Sequence, residues 1–510
     1  MKKGHPTALY YLFFVELWER FSYYGMRALL VLYIVDQLYG DMVREAADTR
    51  AYGIYAAFGA LVYATPVIGG MLADKFLGYR KSIMTGGLLM AVGLFMMTAN
   101  VPFFFYVGLG FLVTGNGLFK PNISSMVGSL YEQGDPKRDA GFTIFYMGIN
   151  IGAWLSPLAC GWIAYAYGWS YGFGLAGFGM LLGLLVFQIG INNGTFEGKG
   201  LAPDTEENKI KIAGFSKSAW SVIVAVLSVP LLTILIYKNQ LAGFVLYAIL
   251  ALVLFVVIKS FLEITRVERE KIIAIFILAV FSTFFWAFFE QAGSTITLFA
   301  ERNVDLVFMN AAQTNMINPF FIIALAIPFS MIWTWLAARK MNPYTPFKFA
   351  YGIAQLGLGF FIFAYGARFA SETAQVPVLF LIVGYFLITT GELFISPIGL
   401  SMVTRLSPAK VVSFMMGVWF LSMSFAHYIA GIIARFTTLE VTANGGFLEK
   451  VTIQVTGLTP DLVAEKGGGA FSTLLSYANV FSSIGVIAII LAIILMVFSP
   501  LIRKLMHGEH

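Results

Sequence analysis

The chain has 510 residues, 59% of them hydrophobic and only 12% charged, against about 25% charged residues in an ordinary soluble domain. That composition, a mean hydropathy of +0.80 and apolar runs repeated along the whole length exclude a soluble globular protein. They predict an all-α polytopic membrane protein with lipid as its solvent. The net charge of +6 is not a nucleic-acid signal, because the basic residues cluster in short loops, as in membrane proteins. Cys160 is the single cysteine, which excludes an internal disulfide and a cysteine-rich metal site.

Apolar segments predict fourteen spans, near 10–39, 52–73, 82–99, 103–130, 141–165, 171–192, 218–237, 241–262, 272–299, 312–338, 346–366, 376–403, 411–436 and 471–501. The first is long, carries charges and lacks a cleavage site, so it reads as a span and not as a cleaved signal peptide. Residues 193–217 are polar and glycine-rich and read as a linker. Residues 259–271 are a charged connection that predicts a short helix, and the alternating Thr, Gly and Val of 439–468 predict a small hairpin. The two spans between the linkers hold no internal charge and look unlike the rest. The expected organisation is six spans in 1–192, linkers and two inserted helices in 193–271, and six spans in 272–510. Of the 33 Lys and Arg residues, an internal N-terminus puts 22 in inner segments and 8 in outer ones, leaving Arg20, Arg27 and Lys120 inside spans. That excess places both termini in the cytoplasm.

The informative residues are the charges inside spans: Glu16, Glu19, Arg20, Arg27, Lys120, Glu290 and Glu392. Each would cost roughly 2.5–3.5 kcal/mol facing lipid at the bilayer centre, on the order of 20 kcal/mol together. They must face one another or a water-filled cavity. With Glu16 set at zero on an ideal helix, Glu19 falls at about 300°, Arg20 at about 40°, Tyr23 at about 340°, Arg27 at about 20° and Tyr24 at about 80°. Two acids, two bases and a phenol share one stripe, which is either a buried ion-pair network fixing helix packing or a functional site. The fourth span offers Lys120 beside Pro121, as a partner for Glu16 or Glu19, as a substrate contact, or as both. In the fifth, Tyr146 and Asn150 stand a turn apart, and an Asn in a span is also ordinary interhelical glue. Further on, Trp286 lies over Glu290, Asn318 precedes Pro319, Glu392 and Ser396 stand one turn apart before Pro397, and Trp419 lies in the last span but one.

Two six-span halves suggest an internally repeated transporter with its site where the halves meet. The first half supplies Arg20, Arg27 and Lys120, while the second supplies Glu290 and Glu392 and no intramembrane base. Such a cavity suits a short zwitterion, its carboxylate toward Arg27 and Lys120 and its amine toward Glu392. The loop Gly69–Lys81 resembles the signature loop of the major facilitator superfamily, and 337–348 resembles a degenerate copy. Glu16-x-x-Glu19-Arg20-Phe-x-Tyr-Tyr-Gly25, Phe145-Tyr146-x-x-Ile-Asn150-x-Gly152 and Gly391-Glu392-x-x-x-Ser396-Pro397 resemble the hallmark motifs of the proton-coupled oligopeptide transporters, a branch of that superfamily.

The resemblance runs through the whole chain, including the bacterial-style pair of extra helices. It implies a major facilitator fold of 14 transmembrane helices, six, two inserted and six, in two pseudo-symmetric bundles. It implies inward symport of di- and tripeptides with protons, by alternating access, in a bacterial inner membrane, with no cofactor beyond the coupling proton. It implies proton coupling by Glu16, Glu19 and Arg20 with Lys120. It implies that Arg27, Tyr24 and Lys120 meet the peptide carboxylate, and that Asn150, Asn318 and Glu392 meet its amine, with Tyr146 and Ser396 alongside. Glu290 is implied as a proton carrier linked to Arg27, and Tyr63, Trp286 and Trp419 as pocket lining. One position departs from the pattern: where some members carry a histidine in the second span, this chain has Ala56. The resemblance therefore leaves the proton to carboxylates.

Other readings fit part of this. An uncoupled or drug-exporting facilitator fits the fold without needing the first-span acidic pairs, and a facilitator of another small amphiphilic or zwitterionic solute is a further alternative. A non-transporting peptide sensor would share the site. A membrane-embedded enzyme needs a nucleophile or metal set, against which stand one cysteine and one span histidine, His427.

Overall fold

The computed structural model describes residues 4–508 apart from 133, 134, 136, 206, 207, 209, 210, 262, 263, 409–411 and 442–445. Of the residues that set the expected orientation, Lys2, Lys3, Lys209 and Lys410 lie outside the described residues, as does the side chain of Pro397. Hydrocarbon offers no partner to a backbone N–H or C=O, so each apolar run closes its own hydrogen bonds as a helix. The long helices are α1 (Thr7–Tyr33), α2 (Arg44–Leu72), α3 (Gly78–Met97), α4 (Pro102–Gly128), α5 (Lys137–Tyr167), α6 (Trp169–Asn192), α7 (Lys217–Tyr237), α8 (Asn239–Ser260) and α9 (Arg266–Phe289). After the short α10 (Thr295–Asn303) come α11 (Ile317–Ala338), α12 (Thr345–Tyr365), α13 (Val378–Leu406) and α14 (Val412–Arg435). Two short helices, α15 (Phe447–Thr456) and α16 (Pro460–Glu465), precede the long α17 (Ala470–Leu505).

Among the described residues, 12 helical segments are long and apolar enough to cross a membrane. One of them, Arg44–Met97, holds both α2 and α3, and α1 stands apart from the set because of its charges. Each of the fourteen expected spans thus has its helix. On α11, Ile327 is 72% and Met331 67% exposed. In water such a face would be a liability, whereas lipid covers it without cost.

The chain folds into two compact units, residues 1–38 with 57–242, and residues 39–56 with 243–510. The inserted helices are shared out, α7 to the first unit and nearly all of α8 to the second. In the first unit α1 packs on α5 and α6, and α3 on α4. Gly148 and Gly152 of α5 lie against the carbonyls of Phe13 and Leu17, where a methyl group would overlap them. On α1, a Cβ at Gly25 would lie 2.6 Å from Cys160 Sγ. Small residues let the backbones approach this closely. The inserted α7 packs on α4, with Gly110 facing Thr233 and Thr114 Oγ1 3.5 Å from Ser228 Oγ. Gly78, at φ +71°, turns the chain out of the signature loop. Beside it, the backbone N–H of Arg80 donates to Gly200 O at 2.9 Å and its Nε to Lys199 O at 2.6 Å. The rest of that linker holds a two-strand antiparallel hairpin, β1 (Lys211–Ile212) with β2 (Phe215–Ser216).

One packing device appears in both units. On α3 and α4, Gly86 and Gly93 face Gly115 and Gly108, backbone against backbone; a Cβ at Gly93 would lie 2.5 Å from Gly108 O. On α12 and α13, Gly352 and Gly359 face Gly391 and Gly384 in the same way, with a Cβ at Gly391 2.6 Å from Gly352 O. In the second unit α9 is also tied to α14, through Thr283 Oγ1 to Ser422 O at 3.4 Å and Gln291 Nε2 to Ala430 O at 3.0 Å. The inserted α8 lies on α14, where Gly243 makes room for the ring of Tyr428. Strands β3 (Val304–Asp305) and β4 (Val376–Pro377) pair in parallel.

Two local expectations are corrected. The charged connection at 259–271 is not a separate helix: Thr265 and Glu268 form a capping box, and Arg266–Lys271 are the first turns of α9. The outer loop at 439–468 is no hairpin in its described part, since it carries α15 and α16. Thr452 and Thr456 share one buried face of α15, Thr452 reaching Asn479 Oδ1 of α17 at 2.9 Å. Gly457 at φ +72° ends α15, and Thr459 caps α16 ahead of Pro460.

The glycine seams predict opposite outcomes for one substitution type. Gly391→Ala forces a methyl onto the Gly352 carbonyl and should destabilise by about 1–3 kcal/mol. Gly417→Ala meets nothing within 4 Å and should be neutral or stabilising by up to about 1 kcal/mol. Thermal unfolding of the two purified variants in detergent checks this; equal melting points would contradict it.

Candidate functional site

In the first unit the stripe on α1 is buried: Glu16 is 3%, Glu19 0% and Arg20 2% exposed. The Arg20 guanidinium grips both oxygens of Glu19 through Nε and Nη2. Its Nε also lies 3.4 Å from Glu16 Oε1. Glu16 Oε2 is buried with no hydrogen-bond partner, and Lys120 acts on Glu16 electrostatically. The two acids are therefore held unequally. The aromatic rings of the motif serve the cations: Arg20 Cζ lies 5.1 Å from the Tyr23 ring centre, Arg27 Cζ 5.8 Å from that of Tyr24, and Lys120 Nζ 4.9 Å from that of Tyr63. Tyr24, Arg27, Tyr63 and Lys120 are half-buried, whereas the Glu19–Arg20 pair is buried. Asn150 is buried and its Nδ2 donates to the Tyr146 carbonyl at 3.0 Å, while the Tyr146 ring is exposed.

In the second unit Glu290 stands where α9 tightens into a 3-10 turn, Glu290–Gly293. It is 4% exposed. Tyr55, from the half of α2 that belongs to this unit, donates its hydroxyl to Glu290 Oε2 at 3.3 Å. His427 Nδ1 of α14 lies 3.6 Å from the same oxygen. One turn earlier Trp286 packs between Phe285 and Phe289, ring centres 5.3 and 5.1 Å away. On α13, Glu392 is buried and accepts from Asn318 Nδ2 at 2.9 Å, and the same amide reaches Thr389 Oγ1 at 3.0 Å. Glu290 and Glu392 are close enough to act on each other electrostatically. Ser396 is half-buried, and the Trp419 ring is buried edge-on against Gly399. The structure thus assembles Glu16, Glu19, Arg20 and Lys120 in one unit, and Asn318 with Glu392, and Glu290, in the other.

The POT family profile matches residues 80–451. The chain belongs to the POT family. Its family relatives include a peptide transporter of Yersinia enterocolitica, YePEPT, 36% identical over 448 residues, 84% of this chain and 88% of that protein. Dipeptide and tripeptide permease A of Serratia proteamaculans is 32% identical over 507 residues, 98% of this chain and 92% of that one. Among solved family structures, a mutant of a peptide transporter POT in complex with alafosfalin superposes with a TM-score of 0.78 at 33% identity, covering 100% of this chain and 97% of that one. A POT family transporter in complex with a thioalcohol-conjugated peptide gives 0.76 at 28% identity and covers 98% of each chain.

For this POT chain, sequence reasoning missed two sets of residues. The first is the company of Glu290, namely Tyr55 and His427, which arrive from helices remote in the chain. The second is an ion pair at the start of α2. Arg302 Nη1 and Nη2 donate to Asp48 Oδ2 and Oδ1 at 2.6 and 2.7 Å, and Nη1 also donates to the Tyr477 hydroxyl at 2.8 Å. The second span was expected to begin at 52, but α2 begins at Arg44. Its polar first turns, with Glu45, Asp48 and Arg50, look like a loop until Arg302 is seen to pair with Asp48.

Asp48 is 4% exposed. Asp48→Ala leaves Arg302 without its carboxylate and should cost about 3 kcal/mol. Glu372→Ala breaks the exposed contact with Lys466 and should stay within about 0.5 kcal/mol. Melting both variants beside the parent protein tests the contrast, and a tolerated Asp48→Ala would show the pair to be dispensable.

Proposed function

We propose that this chain is a proton-coupled symporter that imports di- and tripeptides by alternating access. We place it in a bacterial cytoplasmic membrane with both termini in the cytoplasm, and read it as a carrier and not an enzyme. Family membership supports the substrate class: relatives carry the names peptide transporter and dipeptide and tripeptide permease. A further solved relative, 32% identical, is described among proton dependent oligopeptide transporters. The observation that carries the coupling is the unequal grip on the two α1 acids. Glu19 receives both arms of an arginine, which stays protonated at any working pH. Glu16 keeps a bare oxygen and faces a lysine.

The chemistry follows from charge balance. Glu16 and Glu19 carry two negative charges, and Arg20 and Lys120 two positive ones. A proton taken on Glu16 Oε2 leaves one positive charge in surplus, and we assign that surplus to the Lys120 ammonium. That ammonium, together with the Arg27 guanidinium held over Tyr24, is our candidate for the peptide carboxylate. Glu392, oriented by Asn318, offers the complementary anion to a peptide amine. Both ends are then read by charge, which leaves side chains loosely specified. Tyr63, Trp286 and Asn150 supply the apolar and amide surroundings.

Reconstituted liposomes with an inward proton gradient should accumulate labelled dialanine above its equilibrium level. Di- and tripeptides should compete, while single amino acids and tetrapeptides should compete poorly. Glu16→Gln should still exchange peptide in counterflow, at reduced rate, but lose proton-driven accumulation. Lys120→Ala should lose it too, and Glu19→Gln should instead lower stability by leaving Arg20 underpaired. Normal proton-driven accumulation by Glu16→Gln would refute this route, and strong competition by free alanine without competition by dialanine would refute the substrate class.

A further inference from the structure

One end of the second unit carries cations without acids. The second half of α11 with the start of α12 (329–351), the second half of α13 with the residues after it (394–408) and the end of α17 (495–508) hold Arg339, Lys340, Lys348, Arg405, Arg503 and Lys504, and no Asp or Glu. These ends meet in space. Lys348 Nζ of α12 lies 4.5 Å from the Trp333 ring centre of α11, and Arg503 Cζ of α17 lies 3.6 Å from that of Tyr344, just ahead of α12. Arg339 Cζ stands 4.1 Å from the ring centre of Trp335. Lys348 is half-buried, and the charged group that acts on it is another cation, Arg405 of α13. Among the described residues, no carboxylate pairs with Arg339, Lys348 or Arg503. Glu270, at the start of α9, is taken up by Arg266 and His507 at 2.8 and 2.7 Å.

Basic residues that only mark one side of a membrane reach into water. Here three of them lie over aromatic rings, and the rings continue into an apolar floor. Trp333 and Tyr351 both pack on Phe394, ring centres 5.3 and 6.2 Å away, and Trp335 and Tyr351 are 49% and 45% exposed. Exposed Trp and Tyr rings at helix ends belong at the headgroup level of a bilayer. Two cations brought together in a half-buried place repel, and an anion shared by both removes the repulsion. A group that satisfies this rim is therefore anionic at one end and apolar at the other. We propose that the rim binds an anionic phospholipid, its phosphodiester at Lys348 and Arg405 and its acyl chains along the exposed rings. A soluble anion would gain the charges but not the floor, and a zwitterionic lipid brings a cation of its own toward Lys348. The orientation proposed above makes it a lipid of the cytoplasmic leaflet. Binding at the rim depends neither on that orientation nor on transport.

Full-length protein is reconstituted into phosphatidylcholine nanodiscs that carry a minor share of brominated phosphatidylglycerol or, in parallel, of brominated phosphatidylcholine. Bromine quenches tryptophan on contact. Trp333, under Lys348, is the reporter, its share read as the difference between each protein and its Trp333→Phe form. Half-maximal quenching of that share should need about five-fold less of the glycerol lipid than of the choline lipid, the preference that a basic residue near an anionic headgroup gives. High salt should shrink the difference. Lys348→Gln should lose most of the preference, Lys348→Arg should keep it, and Lys450→Gln, exposed on α15, should leave it unchanged. Equal quenching by the two lipids in wild type overturns the proposal, and so does a full preference in Lys348→Gln. Should that variant not fold, the wild-type comparison and its salt dependence decide. A third arm adds inorganic phosphate at constant ionic strength: loss of the quenching there would assign the rim to a soluble anion and overturn the lipid. No arm reads transport, so failure of the symport assay and failure of this site are separate results.

Discussion

An ion set into hydrocarbon has to be compensated where it stands, because neither water nor salt comes to it. The rest of this structure depends on how that requirement is met along one face of α1. Arg20 is shared between two acids but not evenly: Glu19 takes both arms of the fork, and Glu16 takes one edge at 3.4 Å. A fully satisfied network would be a clamp, with its charges fixed for good. The unequal grip leaves one carboxylate oxygen bare and adds a second cation, Lys120, that acts on Glu16. A buried ion-pair network that fixes helix packing and a proton site need not be rival accounts. The Glu19–Arg20 pair does the first, and the loosely held Glu16 is suited to the second.

The glycine seams set where these charges stand. Gly108 and Gly115 on α4, and Gly384 and Gly391 on α13, bring each helix onto its neighbour at backbone distance. Counting onward from Gly115 and from Gly391, Asn116 corresponds to Glu392, Lys120 to Ser396 and Pro121 to Pro397. The seam and, in the sequence, the proline recur while the polar residues do not. One frame therefore presents a base in the first unit and an acid in the second. This is what a repeated chain can do once its backbone contacts are held by residues without side chains: the polar positions are free to diverge without loosening the packing.

The stripe on α1 was legible in the sequence because helical periodicity alone puts its members on one face. The spans were legible because twenty apolar residues in succession have few other uses. What was not legible came from two sources. Polar turns at a helix start look like loop, so α2 was begun too late and Asp48 was left off it, its partner Arg302 lying far away in the sequence. The outer segment after α14 alternates Thr and Val as a strand would, but Thr452 and Thr456 are one turn apart and both buried, and that contact with α17 decides for helix. The surroundings of Glu290 were hidden for the same reason as Arg302, since no local pattern links Tyr55, Glu290 and His427. The sequence did show Ala56 where a histidine was looked for. It could not show that Gly431 occupies the space beside Ala56, which brings His427 of the same helix within reach of the acid.

The buried glutamates Glu16, Glu19, Glu290 and Glu392 can be ranked by what holds them, and the ranking bears on which can change charge. Glu19 is held by an arginine, which remains protonated at any pH the cell reaches, so its charge is structural. Glu392 is held by the Asn318 amide, a neutral donor that orients a carboxylate and tolerates either protonation state. Glu290 faces a phenol and an imidazole, and an imidazole is a side chain that can exist with or without a charge. Glu16 faces a lysine on a long, flexible stem that can leave it for another anion. Charge can be altered at small cost only where the partner can move or titrate along with it. By that criterion Glu16 and Glu290, one in each unit, are the positions we propose for a proton that comes and goes.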